Sequence, residues 1–392
     1  MSIGVGSVPV LRPRKKGEVP EVGAIELFFD LVYVFTVVQI SHFLLGHLTL
    51  IGIAQSAVLF LAVWWGWNYT AWAMNWINPQ SVAVRLLTAL LMLCGLGMAI
   101  ALPHAFTDEG PLFALSYVVL QLVRSSFMVW ACRGSVLSRN YAHLLSWSAV
   151  ASVVWVIGAF APEEMRLPLW VLALLIDYAA PLLNFYIPGR GGTPMSTWPL
   201  HREHLAERNR LVFIIALGES ILIMGFTLEE VELTAPVVMA TLLGFAGLVL
   251  LWWNYFGLRI EEEVEQDPEG ERQTAIARSA FAYAHAVMIA GAIVVAVSIE
   301  QVTFHPTGHT ETPVAWCLVG GPILYLLGNL LYIHAIAGVV ALSRIVVIAV
   351  LAALGIAAVT THAFPPLVLA GAVTLCMLAL ALFGSRIGAR RS

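Results

Sequence analysis

The residues of this chain that could take part in chemistry are a few ionisable side chains inside long apolar segments. Residues 23–35 read GAIELFFDLVYVF, which places Glu26 and Asp30 in an otherwise apolar run. A charged side chain at the centre of a membrane helix costs roughly 2.5–3.5 kcal/mol on insertion scales. Glu26, Asp30 and Tyr33 are spaced i, i+4 and i+7, so they share one face of a helix. Acids at such positions need partners, and we expect the rest of the chain to supply them.

Four further ionisable residues fall inside apolar segments, namely Arg124, Asp177, Glu219 and His285. At a rise of 1.5 Å per residue, these four and Asp30 lie about 9–16 Å from the same membrane side. We therefore predict one buried polar layer in which Arg124 forms a salt bridge with Asp30. One arginine then faces three or four acids, so the surplus must be protonated, paired with His285 or neutralised by a bound cation.

Glu219 is the residue of this layer that we expect to matter most for activity. It lies near the membrane midplane, and no cation is predicted on its own helix at that depth. A carboxyl group in an apolar site can hold and release a proton, either in a relay or as a general acid. A Glu219→Gln variant is therefore expected to fold and insert but to lose activity.

Two aromatic motifs are candidates for lining a cavity. The first, VWWGWNY, contains Trp65 and Asn68, and the second, LWWNYF, contains Trp253 and Asn254. Interfacial anchoring and packing are the simpler explanation of these tryptophans.

Several signatures of enzymes and cofactor sites are absent from the sequence. It contains no G-x-S-x-G, no H-E-x-x-H, no phosphate loop and no aspartate-rich motif for magnesium diphosphate. His201 and His204 are spaced i, i+3, but no third metal ligand accompanies them. We predict neither a metal site nor a cofactor.

The elements that position these residues follow from composition. The chain has 392 residues, of which 60% are hydrophobic and 11% charged, whereas a soluble domain carries about 25% charged residues. Its apolar residues form blocks of about 20, the length that crosses a bilayer. The sequence predicts an all-α polytopic membrane protein with about twelve transmembrane helices. The predicted spans are 24–46, 50–74, 83–103, 111–132, 141–161, 167–187, 208–226, 234–257, 276–298, 314–334, 340–361 and 366–385.

The two halves of the chain resemble each other. VWWGWNY begins at Val63 and LWWNYF at Leu251, while GPLFALSYVVL begins at Gly110 and GPILYLLGNLL at Gly321. Each half has six spans, so we predict two parallel repeats related by an axis along the membrane normal. The predicted organisation is an N-terminal tail 1–23, a first repeat 24–187, a linker 188–207, a second repeat 208–385 and a basic tail 386–392.

The basic residues predict the orientation. Of the 20 lysines and arginines, 18 lie on the same side of the membrane as the two termini, and Arg208 is assigned to a loop on that side. The two exceptions are Arg124, which lies within a span, and Arg166, which lies in a loop on the opposite side. The positive-inside rule makes that side cytoplasmic, which places both termini there and the protein in the cell (inner or plasma) membrane. The net charge of −4 suggests no nucleic-acid partner. The predicted partners are the lipid bilayer and a small solute, ion or hydrophobic substrate; a homodimer is left open.

Two longer motifs resemble a known family. ELFFDLVYVFTVVQISHFL in the first span and HLAERNRLVFIIALGESILIMG in the seventh resemble the bacterial low temperature requirement protein A (LtrA-like) family, as do WWGWNYTAW, FAYAHAVMIAGAIV and GPILYLLGN. The resemblance extends from Glu26 to Asn329. It departs at NWINPQSVAVR, where the family tends to carry acidic residues. It implies a polytopic bacterial membrane protein and no particular reaction.

Three functions are compatible with these features. The first is a transporter or channel for a small solute or ion, with the buried carboxylates and arginine as its site or proton relay. The second is a membrane-embedded enzyme that acts on a lipid, isoprenoid or hydrophobic metabolite by acid/base chemistry. The third is a non-catalytic accessory membrane protein. A polar path that reaches both faces would favour the first, and a closed aromatic pocket the second.

Overall fold

The computed structural model describes residues 9–13, 20–257, 276–361 and 364–384. Across these residues the regular structure is helical, apart from two isolated β-bridges. Within the same ranges, 12 helices are long and apolar enough to cross a membrane. The predicted all-α membrane class is confirmed. The predicted arrangement as two parallel repeats stays a prediction.

The helices follow the apolar blocks of the sequence closely. The first six are α1 (Ala24–Gly46), α2 (Leu50–Met74), α3 (Val82–Ala101), α4 (Gly110–Ala131), α5 (Val136–Phe160) and α6 (Glu163–Leu182). The other six are α7 (Arg202–Glu230), α8 (Ala235–Phe256), α9 (Arg278–Phe304), α10 (Thr312–Ala337), α11 (Leu342–Thr361) and α12 (Pro366–Phe383).

Two helices depart from the prediction in ways that affect the site. α7 begins at Arg202 rather than at residue 208, so Arg208 lies inside a helix and not in a loop. The first part of α9, Arg278–Ala284, is a π-helix, and the α-helical part begins at His285. A π turn inserted at a helix start often marks a functional position.

The chain divides into two compact units. The described part of the first unit comprises residues 9–13, 20–43 and 51–212, and that of the second comprises 44–50, 213–257, 276–361 and 364–384. The division falls within α1 and within α7, and the predicted repeats with their linker 188–207 stay a prediction. In the first unit α3, α4, α5 and α6 pack against one another in chain order. Tyr178 of α6 donates a hydrogen bond to Leu61 O of α2 at 3.0 Å, which connects α2 to that row.

In the second unit α9 and α10 pack along each other at very short range. The closeness depends on glycine. A Cβ atom added at Gly328 of α10 would lie 2.6 Å from Met288 N and 2.8 Å from Ala284 O. Both atoms belong to the α9 backbone, which cannot move aside without separating the two helices. Small residues permit this backbone-to-backbone approach in membrane helix pairs.

This crossing gives a test of the fold. We expect Gly328→Ala to lower the unfolding temperature of the purified protein by several degrees, because overpacking typically costs about 1–3 kcal/mol. Gly320→Ala on the same helix is the control, since a Cβ there meets nothing within 4 Å. The control should be neutral or slightly stabilising, because alanine favours the helix. Equal unfolding temperatures for the two variants would contradict the close crossing.

Candidate functional site

The two acids of α1 share one arginine. Glu26 and Asp30 are both 0% exposed. Arg208 of α7 donates to Asp30 from two nitrogens, Nη2 to Oδ1 at 2.5 Å and Nε to Oδ2 at 3.2 Å. Its third nitrogen, Nη1, reaches Glu26 Oε1 at 3.2 Å. One guanidinium therefore forms a bidentate ion pair with Asp30 and also donates to Glu26, one helical turn earlier. This geometry requires the three nitrogens of an arginine.

Glu26 receives two further donors from residues that precede α1. Arg12 Nη2 lies 2.8 Å from Glu26 Oε2, and Gly23 N donates to the same oxygen at 2.7 Å. Arg12 is itself held by the carbonyls of Met74 and Ile77, at 3.0 and 2.9 Å from its Nε. Two acids thus meet two arginines. We call this group, which comprises Arg12, Glu26, Asp30, His204 and Arg208, the charged latch.

The histidine of the latch is held neutral by its neighbours. Asn75 Oδ1 accepts from His201 N and Asn75 Nδ2 donates to His201 O, both at 2.9 Å, which fixes the orientation of the amide. Asn75 Nδ2 then faces His204 Nδ1 at 3.4 Å. A donor also faces the other ring nitrogen, because Arg12 Nη2 lies 3.3 Å from His204 Nε2, which is itself 3.0 Å from Glu26 Oε1. With a donor opposite each ring nitrogen, a second ring hydrogen is disfavoured and the imidazole is neutral. The latch is therefore charge-balanced.

The predicted salt bridge between Asp30 and Arg124 is wrong. Asp30 is bound by Arg208 and by Trp67 Nε1, the latter at 2.7 Å. Similar depth was the basis of the prediction, but depth does not fix which way a side chain points around its helix. The partner was missed because Arg208 was assigned to a loop. A signal was present, since His204 and Arg208 are spaced i, i+4 on one face of the segment HLAERNR.

Arg124 instead begins a hydrogen-bonded series of buried side chains. Its Nη2 donates to Gln121 Oε1 in a short contact, and Gln121 Nε2 donates to Tyr117 Oη at 2.7 Å. The Tyr117 hydroxyl donates to Asp177 Oδ2 at 2.8 Å, and Trp155 Nε1 lies 3.4 Å from the same oxygen. Tyr117, Gln121 and Arg124 are spaced i, i+4 and i+7 on α4. We call Arg124, Gln121, Tyr117 and Asp177 the α4–α6 chain.

The positive charge of Arg124 is poorly compensated. The side chain is 0% exposed, and no carboxylate oxygen of the described residues lies within 4 Å of it. Its Nη1 has only long contacts, to Gly66 O at 3.4 Å and Thr70 Oγ1 at 3.5 Å. Its Nε has no hydrogen-bond partner. The Tyr69 ring lies 5.2 Å from the guanidinium and stabilises it partly. A buried charge in this state is unfavourable unless something else pairs with it.

The other predicted polar residues are placed separately. Tyr33 is buried against Phe29, with ring centroids 4.6 Å apart, and its hydroxyl has no hydrogen-bond partner. Glu219 lies in the second unit and is half-buried, and no cation of the described residues lies within 4 Å of it. His285, also in the second unit, faces the Ala280 carbonyl with Nδ1 and Tyr255 Oη with Nε2, both at 2.7 Å. Each unit therefore has its own polar groups, and the single layer at one membrane depth stays a prediction.

The four residues predicted to line a cavity have unlike surroundings. Trp65 stacks on Tyr178 with ring centroids 3.9 Å apart, and Asn68 is 2% exposed. Asn254 donates to Leu250 O at 2.9 Å, whereas Trp253 is 50% exposed on the outer surface of its helix. A narrow cleft with a cavity volume of about 50 Å³ lies elsewhere in the second unit, between α8, α9, α10 and α12. Its lining is apolar apart from Ser298 and Thr374.

With this geometry established, the chain can be compared with known proteins. Residues 21–382 match the family model described as bacterial low temperature requirement A protein (LtrA). The chain belongs to the LtrA family. It is also similar to an uncharacterised protein of Rhizobium meliloti (strain 1021), with 37% identity over 311 residues, which cover 78% of this chain and 75% of that protein. The LtrA match covers the α4–α6 chain and the whole charged latch except Arg12, which precedes it.

The charged latch of this LtrA protein gives a stability prediction. We expect Arg208→Gln to lose most of its folded yield, because removing one partner of a buried ion pair typically costs about 3–5 kcal/mol. Arg210→Gln is the control on the same helix. Its side chain is 39% exposed, and it meets Glu207 at 3.6 Å in a pair worth about 0–1 kcal/mol. The monodisperse peak in size-exclusion chromatography, at matched expression, is the measurement.

A double variant tests whether the loss arises from the uncompensated acid. Asp30→Asn combined with Arg208→Gln removes the negative charge that the single variant leaves buried. We expect the double variant to recover part of the folded yield, because Glu26 keeps Arg12 and His204 as partners. A double variant no better than Arg208→Gln alone would show that charge compensation is not what Arg208 supplies.

Proposed function

We propose that this LtrA protein is a transporter or channel that moves a small solute or ion across the cell membrane. We further propose that Arg124 and the α4–α6 chain form its binding region. The observation that supports this is the fully buried Arg124, which no carboxylate of the described residues approaches within 4 Å. Ionisable residues inside membrane helices face the bundle interior and mark ion or solute pathways by default.

The charged latch has a different part in this proposal. Its charges balance, and the Arg208 nitrogens are already engaged by Glu26 and Asp30. A solute could bind there only by breaking several buried ionic hydrogen bonds. The latch therefore holds α1 and the first turns of α7 in register, and the α4–α6 chain provides the group that can accept a partner. Glu219 remains a separate candidate for a proton relay. If Glu219 relays protons, Glu219→Gln is still expected to lose activity.

The enzyme alternative has one observation in its favour, the apolar cleft of the second unit. A hydrophobic metabolite would fit such a surface. Acid/base chemistry, however, requires a titratable group beside the substrate. The residues that line the cleft include none, because its polar members are Ser298 and Thr374. The cleft therefore supports occupancy by a lipid chain better than it supports turnover.

Arg124→Gln is the variant that tests transport. Proteoliposomes of phosphatidylethanolamine and phosphatidylglycerol would be assayed for potassium, proton, chloride and formate flux. We expect the parent protein to exceed protein-free vesicles for at least one of these ions and Arg124→Gln to reduce that flux at least tenfold. The variant should fold, since it leaves no acid without its cation. Arg133→Gln, at an exposed arginine after α4, should stay within twofold of the parent.

Two results would overturn the proposal. One is a parent protein that gives no flux above protein-free vesicles for any of the four ions, which would favour the accessory alternative. The other is a parent flux that Arg124→Gln leaves unchanged at equal protein incorporation, which would remove Arg124 from the pathway.

We also propose that both termini lie in the cytoplasm, because most of the basic residues are predicted on the same side of the membrane as the termini. Green fluorescent protein fused after Ser392 should fluoresce in cells, and alkaline phosphatase at the same position should be inactive. Fusions in the loop that follows α9, after Gly308, should give the opposite pattern. A fluorescent loop fusion with an active C-terminal phosphatase would reverse the orientation.

A further inference from the structure

We infer that the partner missing from Arg124 is a small monovalent anion, a halide or a short carboxylate, and this inference rests on the transport proposal. The sequence suggested the opposite sign, because one arginine was counted against several acids. In the structure Arg208 and Arg12 neutralise the acids of α1. Arg124 is then left with a positive charge and no adjacent carboxylate among the described residues, which is a site that repels cations.

The groups around Arg124 supply hydrogen-bond donors. Its own Nε–H has no acceptor, and the Tyr33 hydroxyl has no partner. Tyr33 and Arg124 meet at Gly66. A Cβ atom added at Gly66 would lie 3.0 Å from Tyr33 Oη, and the Gly66 carbonyl faces Arg124 Nη1 at 3.4 Å. Both side chains therefore border Gly66, and each has an unpaired donor. Such donors beside an uncompensated guanidinium match the needs of an anion, which accepts hydrogen bonds and supplies negative charge.

The acceptors that contact Arg124 are uncharged. Thr70 Oγ1 donates to Gly66 O at 2.8 Å and lies 3.5 Å from Arg124 Nη1, and Gln121 Oε1 accepts from Arg124 Nη2. Asp177 is the nearest acid along the α4–α6 chain, but Gln121 and Tyr117 lie between it and the guanidinium. Asp177 is therefore too remote to serve as the counter-ion by contact. Among the described residues the charge of Arg124 therefore has no charged partner in contact.

The surroundings also limit the size of the ligand. A Cβ atom added at Gly66 would stand 3.4 Å from Leu120 Cδ2, and the Tyr69 ring lies 5.2 Å from the guanidinium carbon. A single added carbon at residue 66 would already be crowded by Tyr33 Oη and Leu120 Cδ2, so the side chains pack closely on that side of Arg124. This close packing favours an anion as small as a halide or formate, whereas a phosphorylated or multi-carbon solute would require α2 and α4 to separate.

A thermal-stability titration of the purified full-length protein in detergent tests the inference without measuring flux. Sodium gluconate would be replaced by sodium chloride or sodium formate at constant sodium concentration. A ligand that binds the folded state raises the unfolding temperature as it saturates its site. We expect a saturable rise in chloride or formate for the parent protein and for Arg133→Gln, and none in Arg124→Gln. Replacing sodium gluconate by potassium gluconate should leave the unfolding temperature unchanged.

Tyr33→Phe is the sharper variant, because it removes a hydroxyl that has no protein partner. We expect its unfolding temperature in gluconate to equal or exceed that of the parent, and its half-saturating anion concentration to rise at least threefold. A hydroxyl with a purely structural role would give a lower unfolding temperature in gluconate and an unchanged half-saturating concentration. That result would overturn the part assigned to Tyr33 even if Arg124→Gln failed to fold.

The two proposals fail in different ways. A parent protein without any saturable anion effect, or one whose effect persists fully in Arg124→Gln, overturns the anion site. If such a protein still conducts potassium or protons in vesicles, the transport proposal stands by itself. Conversely, an anion effect that requires Arg124, with no flux of any of the four ions, leaves the anion site in place and overturns transport.

Discussion

The ion pairs between Arg208 and the two acids of α1 determine how α1 packs against the start of α7 in the first unit. Water is scarce inside a bilayer, so a charge placed there must be met by the protein itself. Arg208 meets Asp30 with a fork and Glu26 with its remaining nitrogen. A helix turns by about 100° per residue, so a shift of α7 by one position would direct Arg208 away from both acids. The ionic contacts thereby fix the rotation of α1 and α7, which uniform apolar surfaces would leave poorly defined.

The buried arginines differ in how their charge is met. Arg166 donates to four carbonyls, Ala105 O, Thr107 O, Gly158 O and Ala159 O, and so satisfies the ends of neighbouring helices. Arg344 binds Asn329, Ser343 and the Gly384 carbonyl. Arg208 binds carboxylates. Arg124 has one good bond, to Gln121, and an unpaired Nε. Arg166, Arg344 and Arg208 thus meet carbonyls, side-chain oxygens and carboxylates, so the incomplete set of partners at Arg124 is a property of that position.

The helices were predictable and the pairing of their charges was not. Each apolar block of about 20 residues has one stable form in a bilayer, a helix, so composition alone places the spans. The α7 start was missed because Arg202 and Arg208 read as loop residues, although buried partners allow charges within a helix. Depth follows from counting residues, but rotation follows from packing, which one sequence does not contain. Arg12 shows the same limit, since it reaches Glu26 from a tail with no apolar pattern.

α4 and α10 begin with similar sequences but differ at the positions of the α4–α6 chain. Placing Gly110 and Pro111 on Gly321 and Pro322 sets Gly328 opposite Tyr117, Tyr332 opposite Gln121 and Ala335 opposite Arg124. The residue opposite Tyr117 is thus the glycine that lets α10 approach the α9 backbone. The two tryptophan motifs, VWWGWNY of α2 and LWWNYF of α8, differ as well, because Trp65 is 1% exposed and Trp253 is 50% exposed. If the halves arose by duplication, one copy of this helix kept a row of polar side chains and the other became a packing surface. The proposed binding region on α4 therefore has no matching set of polar side chains on α10, and the likeness between the halves gives no reason to expect a second one.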